Sequence, residues 1–281
     1  MKVTVLTENT VYKRGFLAEH GLSLLIETEG ETWLFDMGQT GVFLQNAEKM
    51  KVNLGQLSGI ILSHGHYDHC GGMKDWAEKW PEGSDVPIYM NRKGFERKYS
   101  SHPVTGKMLF SGIPEEGEAW MKKQSGLVLT EEPCQAVSEH IYLLSSIPRK
   151  TDFEEIPATF WKEVHPGEEP ERDTMEDEQL LVIREAQGLC VFAGCAHAGI
   201  VNCLNYVQET FPDEKIHSLV AGMHLKGCGR NRLAQTIRFL QELEADLVVP
   251  LHCTGLLAVA AVKEALGERC VLAEAGKKLE I

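Results

Sequence analysis

Four side chains with metal-binding chemistry lie within one short run, Ser63-His64-Gly65-His66-Tyr67-Asp68-His69-Cys70-Gly71-Gly72. His64, His66, Asp68 and His69 follow Gly59-Ile60-Ile61-Leu62-Ser63, which reads as a buried strand because it is short, apolar and β-branched. Imidazole and carboxylate suit zinc, and they also suit iron or manganese. Several ligands so close in sequence reach one point only if the chain bends tightly. Gly65, Gly71 and Gly72 are expected to supply that freedom. A run of surface histidines in a loop would not explain this spacing after a buried strand.

Further ligands have to come from later in the chain. Three segments end an expected strand with a histidine: Phe192-Ala193-Gly194-Cys195-Ala196-His197-Ala198-Gly199, Ala221-Gly222-Met223-His224-Leu225 and Val249-Pro250-Leu251-His252-Cys253-Thr254-Gly255. Any one of these histidines alone reads as a hydrogen-bonded core residue. Beside the first motif, His197 and His252 are expected as metal ligands and His224 as a catalytic group. Cys195 is either a thiolate ligand, which favours a softer metal, or an inert buried thiol with His197 as the ligand. Asp36 follows a strand and is read as a ligand, as a carboxylate orienting a ligand histidine, or as a turn cap. His20, in a loop before a strand, is a candidate substrate contact.

The periodicity predicts strands near 2–7, 22–28, 32–36, 59–63, 86–90, 180–184, 189–193, 216–221 and 246–250. Helices are predicted over 40–51, 72–80, 199–210, 231–244 and 255–266, the first with an apolar face through Val42, Leu44, Ala47 and Met50. Strands alternating with helices in both halves point to an α/β chain with two sheets and outer helices, read as a single domain over 1–281. Segments 91–134 and 148–179 lack a clear period and read as excursions: lids, a homodimer contact or solvated loops. Solvation is the expectation for the acidic second segment.

The chain carries 41 acidic against 28 basic residues, a formal charge of -13, which disfavours nucleic acid as a partner. Arg92, Lys93, Arg97, Lys98 and Lys107 stand out against that background, either as groups for a phosphate-bearing substrate or as a solvated helix face. The eight cysteines include no Cys-x-x-Cys pair. The opening Met1-Lys2-Val3-Thr4-Val5-Leu6-Thr7 alternates like a strand, and no apolar run has the length of a membrane span. A reduced cytoplasmic protein without membrane partners is expected.

The His-x-His-x-Asp-His pattern resembles the signature of the metallo-β-lactamase superfamily. That resemblance implies an αββα sandwich with two divalent metal ions, zinc first and iron or manganese as alternatives. It implies His64 and His66 on one metal, Asp68 and His69 on the other, and Asp68 handling a proton. Many members carry an Asp where this chain has Cys195. The chain is also similar, along nearly its whole length, to the subfamily named for a dihydropterin ribofuranosylaminobenzene phosphate synthase. The runs carrying this are Ala18-Glu19-His20-Gly21-Leu22-Ser23, Phe35-Asp36-Met37-Gly38-Gln39, Gly194 to Asn202, Gly222-Met223-His224-Leu225 and Pro250 to Gly255. The expected activity is metal-dependent hydrolysis of a small, phosphorylated or pyrophosphorylated substrate, with pyrophosphate displacement by a synthase as the alternative. Di-iron redox relatives carry a Glu where His66 stands, and nuclease relatives have a basic face. A non-catalytic metal-binding protein is the third reading.

Overall fold

The computed structural model describes residues 1–81, 85–165, 167 and 169–281. In chain order the elements are β1 (Lys2–Thr7), β2 (Ser23–Thr28), β3 (Glu31–Phe35), α1 (Val42–Lys49), β4 (Gly59–Ile61), α2 (Tyr67–Cys70), α3 (Met73–Lys79) and β5 (Ile88–Asn91). There follow β6 (Arg97–Ser101), β7 (Met108–Phe110), α4 (Glu115–Met121), β8 (Leu127–Thr130), β9 (Cys134–Ala136), β10 (Ile141–Leu144), β11 (Phe160–Glu163) and β12 (Glu171–Arg172). The last are β13 (Leu180–Glu185), β14 (Gly188–Ala193), α5 (Ile200–Thr210), β15 (Ile216–Gly222), α6 (Arg230–Glu242), β16 (Leu247–Leu251), α7 (Leu256–Leu266) and β17 (Lys278–Glu280).

The chain divides into two compact units. The first comprises Met1–Glu131, Pro157–Asp177 and Glu274–Glu280; the second comprises Glu132–Ile156, Glu178–Ala273 and Ile281. The first unit holds a seven-stranded sheet in the order β17-β1-β2-β3-β4-β5-β8 and a four-stranded sheet β12-β11-β6-β7. Its core is Leu6, Leu34 and Ile60 of the large sheet, with Leu62 just after β4, against Phe43 of α1 and Trp76 of α3, whose rings stack 6.5 Å apart. Helix α1 buries Phe43, Asn46 and Ala47, while Val42, Leu44 and Met50 of the expected face are half-buried. Asn46 is tolerated inside because its amide donates to the Leu6 and Leu17 carbonyls at 2.7 and 2.8 Å.

The second unit is a six-stranded sheet, β16-β15-β14-β13-β10-β9. Its core packs Leu189, Val191, Leu219 and Val248 of the strands with Ile200 and Leu204 of α5, Leu240 of α6 and Val262 of α7. Both large sheets mix antiparallel and parallel pairs: β3, β4, β5 and β8 run parallel, as do β14, β15 and β16. Parallel registers bring strand ends out level with one another. Phe35 pairs with Ile61, and Ala193, Ala221 and Pro250 lie in one row. The chain must turn sharply where such strands end, and four non-glycine residues there take positive φ: Asp36 at 59°, Ala196 at 49°, His224 at 46° and His252 at 52°. Each costs about 1–3 kcal/mol of local strain, a feature concentrated at functional sites.

Segment 91–134, read as lacking a period, contains β6 to β8 and α4, and the acidic 148–179 contains β11 and β12. Residues 166 and 168 of the latter lie outside the described residues. Arg97–Ser101 and Glu171–Arg172 are too polar to signal strands by hydrophobic alternation. Among the described residues no helix is long and apolar enough to cross a membrane.

The glycines of the metal motif meet a different need from the one expected. Gly71 and Gly72 have ordinary helical φ near -61° and -62°. What excludes a side chain is space: a Cβ on Gly71 would sit 2.2 Å from the Gln39 carbonyl oxygen and 2.4 Å from that of Tyr67. A Cβ on Gly65 would sit 2.2 Å from the Gly94 carbonyl oxygen. Gly71→Ala is therefore expected to destabilise the protein by roughly 1–3 kcal/mol through overpacking against rigid backbone. An unchanged denaturation midpoint in urea would contradict this packing account.

Candidate metal centre

In the first unit the motif is organised around the Asp36 carboxylate, which is fully buried. The parallel pairing of β3 with β4 sets Asp36 beside Ser63. Asp36 Oδ1 accepts the Ser63 N–H at 2.7 Å, while Oδ2 accepts the Ser63 hydroxyl at 2.8 Å and lies 2.7 Å from His69 Nδ1. The Ser63 hydroxyl, having donated to Asp36, accepts from His64 Nδ1 at 2.9 Å. This network assigns the Nδ1–H tautomer to both His64 and His69 and puts each lone pair on Nε2. His64 Nε2 stands 3.1 Å from His66 Nδ1, and His69 Nε2 stands 3.9 Å from Asp68 Oδ2. His20 Nε2 is 3.2 Å from the same Asp68 oxygen.

Backbone contacts pin the loop that carries these groups. Gly65 N–H donates to Asp177 Oδ2 at 2.7 Å, Leu22 N–H to the Asp68 carbonyl at 3.1 Å and Met37 N–H to the His69 carbonyl at 2.8 Å. The Cys70 thiol donates to the His64 carbonyl at 3.0 Å. Burial, and then the charges of Asp36, Asp177 and Asp68, push that thiol well up, so it stays a protonated donor.

The second unit gathers the late strand ends. Glu178, 2 % exposed, accepts the backbone N–H of His197 at 2.7 Å and of Ala198 at 3.0 Å, and lies 2.9 Å from His197 Nδ1. His197 thus also carries its proton on Nδ1. Burial alone would raise the Glu178 carboxyl, but the His197 ring and these N–H donors outweigh it and lower it. Cys195, His224 and Cys253 bring a ligand atom each within 4.8 Å of one another. The His224 N–H donates to Cys253 Sγ at 3.3 Å, and Met223 N–H to Thr254 Oγ1 at 3.0 Å. Burial raises the Cys253 thiol, yet its contacts with Cys195 and His224 and the nearby His252 bring it well below the ordinary thiol value. His252 is buried and opens a 3-10 turn directly after β16.

Two expectations need correction. Of the basic cluster, Arg92, Lys93, Arg97 and Lys107 are exposed, as a solvated face requires, but Lys98 is not. Lys98 is fully buried on a strand, 2.8 Å from Asp173 and 2.9 Å from Asp177. Arg92 pairs with Glu131, Lys93 with Glu176 and Arg97 with Glu163. Nor is the acidic 148–179 simply solvated: Glu154, Glu163, Asp173, Asp177 and Glu178 are buried. Each finds donors there. Glu154, for example, accepts the Val201 and Asn202 N–H groups at 2.9 and 2.8 Å, capping α5 where Gly199 offers no side chain. Asp177, Glu178 and Cys253 were not anticipated as site residues. The only local signal for the first two was a carboxylate pair abutting a buried strand.

The family model of the metallo-beta-lactamase superfamily matches residues 18–132. The crystal structure of Tm1679, described as a metal-dependent hydrolase of the beta-lactamase superfamily, is 31% identical, covers 100% of this chain and 99% of that one, and superposes with a TM-score of 0.85. The 7,8-dihydropterin-6-methyl-4-(beta-D-ribofuranosyl)-aminobenzene-5'-phosphate synthase of Methanocaldococcus jannaschii is 28% identical over 99% of this chain and 95% of that protein. The metallo-beta-lactamase fold protein YhfI of Bacillus subtilis, 16% identical with a TM-score of 0.60 over 99% of both chains, shares the fold.

Glu178 provides a pH test. Its folded-state value lies below the ordinary 4.5, so its stabilising contribution is complete above about 4.5 and is lost as pH falls through the lowered value. Glu178→Gln is expected to cost about 1–3 kcal/mol at neutral pH, because an amide cannot accept from both backbone N–H groups and the ring. The gap to wild type, followed by urea denaturation, should narrow as pH drops below about 4.5. A gap independent of pH would reject this role.

Proposed function

The chain belongs to the metallo-β-lactamase superfamily, and from that premise we propose that it is a metal-dependent hydrolase of a small phosphorylated or pyrophosphorylated substrate. The observation that carries the metal part is the tautomer network of the first unit. Asp36 and Ser63 hold His64 and His69 so that both turn an Nε2 lone pair outward. The 3.1 Å between His64 Nε2 and His66 Nδ1 is close to the roughly 3.3 Å that two nitrogens on one tetrahedral zinc ion would span. The donors therefore fit a divalent cation of zinc type. Iron and manganese accept the same imidazole and carboxylate donors.

His64, His66, Asp68 and His69 of the first unit are proposed as metal ligands, and His197 and His252 of the second unit as further ligands. Bound ions would supply Lewis-acid activation of water and of a phosphoryl oxygen at neutral pH. Asp68 takes the proton of the attacking nucleophile, and its contact with His20 orients it for that transfer. His224 is proposed as a further catalytic group and His20 as a substrate contact. The named hydrolase relative supports hydrolysis, and the synthase relative, whose name includes a 5'-phosphate, supports a phosphate-bearing substrate. The same relative supports a second reading, a synthase in which an amine or carbon nucleophile replaces water. Phosphate or pyrophosphate release from small phosphomonoesters and pyrophosphates in buffer alone fits the hydrolase. Release only in the presence of an aminobenzene acceptor fits the synthase.

Purified protein is expected to contain a divalent transition metal, and His64→Ala with His66→Ala to remove most of it. Unchanged metal per chain by elemental analysis would refute the assignment. Asp68→Asn should lower turnover by about 10²-fold or more with the fold retained; turnover within a few-fold of wild type would sink its proton role. For the loop that follows β14, Cys195→Ser is expected to keep the metal and His197→Ala to lose it. In a Co²⁺-substituted protein, an intense near-ultraviolet thiolate band abolished by Cys195→Ser would reverse that ligand choice.

A further inference from the structure

Lys98 is the second residue of β6, with its ammonium fully buried. A lone lysine would not remain charged in such a place. Burial alone would lower it, but Asp177 and Asp173 outweigh that and raise it, so the ammonium persists. The two carboxylates divide their oxygens in a regular way. Asp173 gives Oδ2 to Lys98 and Oδ1 to the Met175 N–H at 2.7 Å, closing the turn that leads to Asp177. Asp177 gives Oδ1 to Lys98 at 2.9 Å and Oδ2 to the Gly65 N–H at 2.7 Å.

Gly65 is the residue between His64 and His66. On its other side a Cβ would meet the Gly94 carbonyl oxygen at 2.2 Å, so the loop is pressed against the turn over Arg92–Phe95. The loop has no side chain of its own to anchor it at this point. The peptide between His64 and Gly65 is held from both sides: its N–H by the Asp177 carboxylate, which is in turn held by the Lys98 ammonium, and its carbonyl by the Cys70 thiol at 3.0 Å. Two carboxylates and one ammonium leave a net negative charge, placed beside a loop that carries two imidazoles.

We propose that Lys98 is a positioning residue of the metal-binding loop: it clamps Asp177 so that the second carboxylate oxygen holds Gly65 and thereby sets the separation of His64 and His66. This rests on the reading of His64 and His66 as metal ligands. It assigns the buried lysine a task other than meeting substrate. Partners that hold a ligand in place without touching the metal typically govern about 10–100-fold of metal affinity.

The test is Zn²⁺ affinity by competition with a chromophoric chelator, together with the unfolding midpoint of each metal-free protein. Asp177→Asn is expected to weaken Zn²⁺ binding by about 10–100-fold, because an amide has one acceptor oxygen and cannot serve both Lys98 and Gly65. Lys98→Met should fall in the same range, with partial rescue in Lys98→Arg. Asp173→Asn, whose carboxylate does not touch the loop, should stay within about tenfold of wild type. The paired variant Lys98→Met/Asp177→Leu removes the ammonium together with the carboxylate that reaches the loop and leaves Gly65 N–H without that acceptor. It carries the test if either single variant fails to fold, and the same loss of affinity is expected. Wild-type affinity in Asp177→Asn, or in the paired variant, would overturn the inference. So would a lower metal-free midpoint with unchanged affinity, which is the signature of a purely structural ion pair. Wild-type protein that binds no divalent metal would instead overturn the metal assignment itself, and this inference with it.

Discussion

The buried Asp36 carboxylate is the interaction on which the arrangement of the His64–His69 run in the first unit depends. It receives a backbone N–H and a hydroxyl from Ser63 and faces His69 Nδ1, all within 2.8 Å. One carboxylate thereby holds both ends of a six-residue motif and sets the tautomers of two of its histidines. A buried carboxylate without such donors would be costly. With them it becomes the reference point for the loop. Asp36 itself sits at positive φ, so the chain accepts backbone strain in order to point this side chain inward.

The same solution recurs at the other strand ends. Glu178 does for His197 what Asp36 does for His69, adding two backbone N–H donors. Asp177, its neighbour in sequence, does it for the backbone between His64 and His66. Ala196, His224 and His252 each take a left-handed conformation within three residues of a strand end. Level strand ends, sharp turns and buried carboxylates are what put imidazoles in defined orientations, because a histidine offers a metal a useful lone pair only when its other nitrogen is committed.

These arrangements account for the unusual fate of the acidic segment and the basic cluster. A net charge of -13 suggests a solvated acidic surface, yet several of these carboxylates are interior and satisfied. Lys98 is buried for the same reason. It offsets two of those carboxylates, and its charge is therefore not available to an anion in solution.

The clustering of His64, His66, Asp68 and His69 side chains was legible in sequence because these residues are neighbours along the chain. The strands and helices around it were legible because alternation and helical periodicity are local patterns of burial. The three later histidines could be placed at strand ends for the same reason. The roles of Asp177, Glu178, Lys98 and Glu154 could not be read that way. Gly65 and Asp177 are 112 residues apart, and no local pattern records which distant N–H a carboxylate will meet. The polar strands β6 and β12 were equally silent: β6 is engaged by ion pairs and the Tyr99–Phe110 ring contact, and both residues of β12 are exposed, so neither has an apolar stripe. The motif glycines show the divide most plainly. Sequence read them as sources of backbone freedom; tertiary packing decided that the need was room for neighbouring carbonyls, because the backbone angles at Gly71 and Gly72 are ones any residue could adopt.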